Sequence, residues 1–444
     1  MYLPRAIIHG GGSVQRLGTL LADMGLKRPL VVADKFLASP QSGAVGKVCA
    51  SLSASAAPFE VFTDTIPDPT TESVERCVDA LAAGNFDSIV ALGGGSPMDT
   101  AKAAAVLYKQ GGRMRDYKAP YQNDGASLPI VAIPTTAGTG SEATKFTIVT
   151  DSETQEKMLC VGPPPPLPAP TTPSPPLALA QVRGSGVLAH RGDPRLRAHP
   201  DQALPAHGRH RHRRHLPRDG GNPHPHPNSN PNPNPNPNPN PNPDPDPNQA
   251  YVSAKHNPLA DGFAISAMQK LGGSLYTACQ SPSDAAAREA MLLGSCQAGM
   301  AFSNASVTLI HGMSRPLGAL FHIPHGMCNA MLLPRCISFS AEGAVARYAE
   351  ASRMLGLCSA SATDDDAAGG FARALHKVTS DLEVPTLQGF GVDEAVFRQA
   401  VPRMATAALA SGSPGNNPVV PSQAQVEVLF HELWDHECRA SATG

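Results

Sequence analysis

The sequence predicts an α/β N-terminal domain built on a parallel sheet, an all-α C-terminal domain, and a disordered middle segment between them. Three observations predict it. Up to residue 160, short apolar runs alternate with amphipathic stretches, the rhythm of βαβ units. From residue 250 onward, Ala-, Leu- and Met-rich stretches with helical spacing dominate. Residues 163–249 show neither period. The expected division is therefore 1–160, 163–249 and 250–444, and 444 residues are enough for two separate cores.

The runs Pro29–Ala33, Asp87–Leu92 and Leu128–Ile133 read as buried strands. Ala285–Phe302 and Val345–Leu355 read as helices of the second half. The middle opens with a proline tract, passes through the Arg/His-rich stretch His207–His215, and ends in Pro-Asn repeats. It has too few periodic apolar residues to offset the entropy of ordering, which predicts disorder.

Composition excludes several function classes. A formal net charge of -2 implies no general attraction to nucleic acid or to an anionic membrane. Nine cysteines form no CxxC pair, which suits reduced thiols. No apolar run approaches the ~20 residues of a membrane span, and no signal-like segment is visible at Met1. A cytoplasmic protein with small-molecule partners is expected, or an organellar one if the start is misplaced.

The strand Asp87–Leu92 runs directly into Gly93-Gly94-Gly95-Ser96-Pro97-Met98-Asp99. Ser96 is a natural N-cap, Pro97 fits the first helical position, and Asp99 completes the capping pattern. Glycines let backbone approach a ligand, and the free N–H groups of a helix start attract a pyrophosphate. The strand Leu128–Ile133 is followed by Pro134-Thr135-Thr136-Ala137-Gly138-Thr139-Gly140-Ser141-Glu142. Small hydroxyl residues and glycines at a strand's carboxyl end line the crevice where open α/β sheets bind ligands.

GGGSPMDTAK and PTTAGTGSEAT, about forty residues apart, resemble the two nucleotide-site signatures of the iron-containing alcohol dehydrogenase family. The resemblance covers residues 5–160 and 250–435, and implies a Rossmann-like first domain. It implies that Gly94, Gly95, Ser96, Thr135, Thr136 and Thr139 contact the cofactor, with Asp99 and Lys102 at matching places. Lys157 falls where members often carry a cofactor-contacting lysine. Asp34 matches an acidic position that accepts from the adenosine ribose and repels a 2′-phosphate, which favours NAD over NADP.

His311-Gly312-Met313-Ser314-Arg315-Pro316-Leu317-Gly318 is read as closing an apolar helix, and Ile323-Pro324-His325-Gly326 as opening the next. Together they resemble the family's third and fourth metal ligands, so His311 and His325 carry over as ligands of Fe2+ or Zn2+. Arg315 stands where many members have a histidine with a proton-transfer role, and a cation there can instead meet an anionic substrate group. The family's first two ligands lie in a D-A-x-x-H-x-x-E helix just before an EAYVS sequence. Here Ala250-Tyr251-Val252-Ser253 follows Gln249 with no such helix before it, so two ligands are missing. Two imidazoles alone leave a divalent ion under-coordinated.

A shifted reading frame offers an explanation. Taking the last two bases of each codon with the first of the next, His207–Gly220 can also encode T-A-D-T-G-T-D-A-T-x-H-A-M-E, which contains the missing ligand helix. Plausible splice sites at Gly220-Gly221-Asn222 and Asn248-Gln249-Ala250 would join H-A-M-E to A-Y-V-S. The alternative is a genuine disordered insertion. Sequencing the transcript separates the two.

The resemblance implies hydride transfer between an alcohol and NAD, assisted by a divalent metal, with an alcohol or aldehyde as partner and a homo-oligomer possible. Turnover is expected to be impaired as the chain is written. Alternatives are a hydroxyacid-oxoacid transhydrogenase or glycerol-type dehydrogenase of the same fold, or a non-catalytic nucleotide-binding protein that uses its middle segment as a tether.

Overall fold

A computed structural model of the chain describes residues 2–161, 178–180 and 246–442, apart from Pro120, Gln122, Asp124 and Gln155. Its N-terminal half is built on a six-stranded, wholly parallel sheet. The strands are β1 (Ala6–Ile8), β2 (Pro29–Val32), β3 (Glu60–Phe62), β4 (Ser88–Gly93), β5 (Ile130–Pro134) and, after a hairpin of β6 (Phe146–Thr150) with β7 (Lys157–Val161), β8 (Ala178–Ala180). Their order is β1-β8-β5-β4-β2-β3.

Every residue of β2 and β4 is buried, as uninterrupted apolar runs require of strands covered on both faces. Five helices supply the cover: α1 (Leu17–Asp23), α2 (Lys35–Ala38), α3 (Ala44–Ala54), α4 (Thr71–Gly84) and α5 (Gly95–Gln110). The side chains alternate along each strand. Val31, Val90 and Val131 pack against Leu17, Leu21, Val48 and Leu52 of α1 and α3. Leu30, Ile89 and Ala91 face the opposite way, onto Val74, Leu81, Ala101 and Ala104 of α4 and α5. That arrangement is a doubly wound sheet.

From residue 247 to 442 the described chain is helical. The helices are α6 (Pro247–Val252), α7 (Pro258–Gln280), α8 (Ala285–Ala305), α9 (Leu309–Phe321), α10 (His325–Ala341), α11 (Val345–Met354), α12 (Asp364–Asp381), α13 (Glu394–Ala410) and α14 (Gln423–Ala442). Asn257 and Asp284 cap α7 and α8 by accepting from Ala260 N and Ala287 N, and Pro258 occupies the first turn of α7. An aromatic group organises the far end of this half: Phe397 stacks on Trp434 with ring centroids 5.4 Å apart and meets Phe430 edge-on at 6.5 Å. The described residues of both halves belong to one compact unit.

Local outcomes differ from the sequence expectations in three places. The glycine turn does not end at Ser96, because α5 already begins at Gly95, with Gly94 as its N-cap and no side-chain cap. Gly93, at φ 149°, makes the reversal that only glycine adopts readily, so the helix starts earlier and its first N–H groups stay free. His311 does not close a helix. The apolar stretch breaks at Ser306, where φ is 66°, and His311 is the third residue of α9.

The third difference concerns the middle segment. Ala178–Ala180 forms a strand parallel to β1 and β5, and Asp246–Gln249 is buried at the start of α6. Residues 163–177 and 181–245, with the alternative frame at His207–Gly220, lie outside the described residues.

Candidate active site

The two glycine-rich loops meet at the carboxyl ends of adjacent strands β4 and β5, where Thr135 N donates to Gly93 O at 3.0 Å. A Cβ placed on Gly94 would come within 3.0 Å of Thr136 Oγ1, and one placed on Gly95 within 3.0 Å of Thr139 Cγ2. Any larger residue would fill the space between turn and loop. Ser96 lies in the first turn of α5 beside these groups, so free backbone donors, glycines and threonine hydroxyls converge. This is the cradle a pyrophosphate requires.

Asp99 and Lys102 brace the second loop. The Asp99 carboxylate accepts from Ser141 Oγ at 2.6 Å and from Ile148 N at 3.0 Å, and pairs with Lys102 Nζ at 3.1 Å. Lys102 donates to Ser141 O and Oγ, Thr144 Oγ1 and Phe146 O. Asp99 therefore holds the loop through its side chain. Next to it, Glu142 has an Oε1 atom shut off from solvent with no hydrogen-bond partner. Burial pushes its carboxyl up to about 7, against the pull of its own backbone N–H and of Lys102.

Asp34 follows β2 and caps α2, accepting from Leu37 N at 2.8 Å. It occupies the strand end where the adenosine ribose is expected. Lys157 opens β7 and pairs with Asp68 at 3.0 Å.

His311 and His325 come together from α9 and α10, ring centroids 5.1 Å apart and edge to face. Helix α8 links this pair to the nucleotide loops. Its Gly299 presses so closely on Gly140 that a Cβ would sit 2.5 Å from the Gly140 carbonyl oxygen. One turn later, Phe302 lies against His311 at 6.3 Å. His325 Nδ1 lies 3.3 Å from Ser314 Oγ.

Two family models match the chain. A model described as iron-containing alcohol dehydrogenase matches residues 4–169, and one for the Fe-containing alcohol dehydrogenase family, C-terminal, matches residues 248–434. The chain belongs to the iron-containing alcohol dehydrogenase family. It is 28% identical over 385 residues to an NAD-dependent methanol dehydrogenase of Bacillus methanolicus, covering 87% of each chain. It is 28% identical over 434 residues to an NADPH-dependent butanol dehydrogenase of Clostridium saccharobutylicum, covering 96% of each. The solved alcohol dehydrogenase from Oenococcus oeni superposes with a TM-score of 0.77 at 25% identity, over 98% of this chain and 99% of that one.

Against the family's D-A-x-x-H-x-x-E pattern, this member of the iron-containing alcohol dehydrogenase family departs at the start of α6. Gln249 stands at the Glu position and Asp246 at the His position. Sequence reasoning missed both residues, although counting back from Ala250-Tyr251-Val252-Ser253 would have found them. Tyr251 anchors the segment: Arg347 lies 4.0 Å over its ring and donates to its carbonyl oxygen at 2.7 Å, while Tyr251 Oη donates to Glu350.

Asp246 is buried, with a carboxylate that accepts from Asn248 N and Nδ2 and from Gln249 Nε2. Burial raises its carboxyl, opposed by those donors and by the nearby charge of His311. Gln249 Oε1 accepts from Thr308 N and Thr308 Oγ1 and faces His311 Nδ1 at 3.1 Å.

Among the described residues no three His, Cys, Asp or Glu side chains converge to hold a catalytic ion, whereas such a site needs about three protein ligands and an open position. Among the described residues no helix is long and apolar enough to cross a membrane.

Proposed function

We propose that this chain binds NAD in preference to NADP, belongs functionally with the dehydrogenases that interconvert small alcohols and aldehydes, and has impaired metal-dependent turnover. The observation that carries the cofactor reading is the pair of close approaches, Gly94 to Thr136 and Gly95 to Thr139, which bring the glycine turn and the threonine loop together with no side chain between them. Gly94, Gly95, Ser96, Thr135, Thr136 and Thr139 would hold the dinucleotide. When bound, NAD supplies a hydride acceptor.

The other residues position this cradle. Asp99 and Lys102 fix the threonine loop, and Asp34 places a negative charge where a 2′-phosphate would lie. Gly299 lets α8 approach the loop, so that Phe302 and the histidine pair lie beyond it. The impairment reading rests on the donor set: among the described residues no three His, Cys, Asp or Glu side chains converge as Fe2+ or Zn2+ requires.

Fluorescence titration with NADH and with NADPH tests the cofactor half. Tighter NADH binding is the expected result, and no binding of either would overturn it. Elemental analysis tests the other half. Near-stoichiometric iron or zinc, together with alcohol oxidation, would refute the impairment. The incomplete donor set also favours a second reading, a nucleotide-binding protein without turnover. Alcohol oxidation restored by excess Fe2+ or Zn2+ would exclude it.

A further inference from the structure

We propose that Ser141 is a positioning residue for the nucleotide: clamped by Asp99 and Lys102, it holds the Thr139 hydroxyl as a hydrogen-bond donor to a phosphate oxygen of the bound dinucleotide. The inference deepens the cofactor reading and rests on it for the identity of the ligand.

Ser141 is buried, and its hydroxyl sits between opposite charges. Oγ donates to the Asp99 carboxylate at 2.6 Å and accepts from Lys102 Nζ at 2.8 Å, while the Ser141 carbonyl oxygen accepts from the same ammonium at 3.0 Å. Hydrogen bonds with a charged partner are the strong ones, and here both partners are charged. Asp99 and Lys102 stand one turn apart on α5 and pair with each other at 3.1 Å. Ser141 is therefore fixed to the helix that begins at Gly95.

The backbone of the same residue reaches the cradle. Gly140, at φ 56°, turns the chain so that Ser141 N donates to Thr139 Oγ1 at 3.2 Å. The Thr139 side chain lies against the glycine turn: a Cβ on Gly95 would stand 3.0 Å from Thr139 Cγ2 and 3.7 Å from Thr139 Oγ1. These contacts close a ring, from Gly95 to Thr139, to Ser141, to Asp99 and back along one turn of α5.

The ring decides what the Thr139 hydroxyl can do. A hydroxyl has one donor and two acceptor positions. One acceptor position is filled by the Ser141 N–H, and no acceptor among the described residues takes the Thr139 proton. That proton stays available beside the free N–H groups at the start of α5. Donors converging at a helix start select an anionic oxygen, such as those of a pyrophosphate. The Asp99 charge, which would repel that ligand, is matched by Lys102.

The test is calorimetric titration of the full-length protein with three probes: NADH, ADP, which keeps phosphates without the nicotinamide, and adenosine, which has no phosphate. Ser141→Ala should weaken NADH and ADP by about tenfold and leave adenosine within about twofold, the scale expected of one hydrogen bond to a charged group. Ser141→Thr keeps a hydroxyl at the same place and should recover most of the loss. Thr139→Val is close to threonine in shape without the hydroxyl, and should weaken NADH and ADP as much as Ser141→Ala does. Because Ser141 acts through Thr139, the double variant should bind no more weakly than Thr139→Val alone.

Additive losses in the double variant, or an adenosine affinity that falls with that of ADP, would assign Ser141 to general packing of the loop and overturn the proposal. Comparing ADP with adenosine in one sample makes the result independent of the folded fraction. Ser141→Cys, similar in size with a weaker donor and acceptor, puts the same question if Ser141→Ala does not fold. Binding of ADP that depends on Ser141 in a protein that does not bind NADH would support the Ser141 proposal while refuting the cofactor reading. Binding of none of the three probes by the parent would overturn both.

Discussion

Gln249 Oε1 lies 3.1 Å from Nδ1 of His311 and accepts at the same time from the backbone N–H of Thr308. An amide oxygen can only accept, so His311 carries a proton on Nδ1. One side chain thus holds that proton and satisfies an otherwise open donor at the start of α9.

Replacing Gln249 with Ala would take away the acceptor of the Thr308 N–H and the oxygen that faces His311 Nδ1. The expected cost is about 1–3 kcal/mol in urea unfolding. NADH affinity should change little, because the Gln249 side chain bonds to Asp246, Thr308 and His311 rather than to the glycine and threonine loops. An unfolding midpoint equal to the parent's would contradict the proposed network.

Gly95 faces Thr139 so closely that a Cβ would meet Thr139 Cγ2 at 3.0 Å. Gly95→Val should therefore weaken NADH binding by about tenfold or more, equivalent to ~1.4 kcal/mol. Thr139→Ala removes the opposing methyl group, so a Gly95→Ala/Thr139→Ala pair should bind NADH better than the two single losses add up to. Strict additivity in fluorescence titration would argue that the two residues do not share the cradle.

Glu142 should make stability pH-dependent. Its carboxyl is raised from 4.5 to about 7 in the folded chain, so between these values the folded state holds a proton that the unfolded state has released. Stability contributed by this group falls as pH rises from about 4.5 to about 7, and the loss is complete above that range. Glu142→Gln removes the term. Its melting temperature relative to the parent should therefore be higher at pH 8 than at pH 5; the same difference at both would show that Glu142 does not titrate as described.

Asp34 combines a cap with a charge at the end of β2. Asp34→Ser keeps an acceptor for Leu37 N but removes the charge, so the ratio of NADPH to NADH affinity should rise with little change in stability. Asp34→Ala loses the cap as well, at about 1 kcal/mol. An unchanged cofactor ratio in both variants would remove Asp34 from cofactor discrimination.

The legible parts of the molecule were those governed by local chemistry. The runs of β2 and β4 announced buried parallel strands, because an apolar run bounded by turn residues has few other uses. The GGGS turn and the threonine loop announced a ligand crevice through their glycines and hydroxyls. Asp246 and Gln249 were hidden by their neighbourhood, since they end a Pro-Asn tract whose composition signals disorder, yet the Tyr251 anchor folds them under α9. The start of α5 was misplaced for a related reason: the capping residues at Ser96 and Asp99 are good local signals, but the reversal at Gly93 starts the helix before they can act as caps.

The sequence by itself determined the parallel sheet, the helical second half, the two nucleotide loops and the histidine pair, because each follows from periodicity or from residue chemistry within a few positions. Only the tertiary structure decided that Gly95 abuts Thr139, that Gln249 faces His311, and that Gly299 presses on Gly140. Those relations join residues far apart in the chain, and packing between helices and loops sets them rather than any local preference.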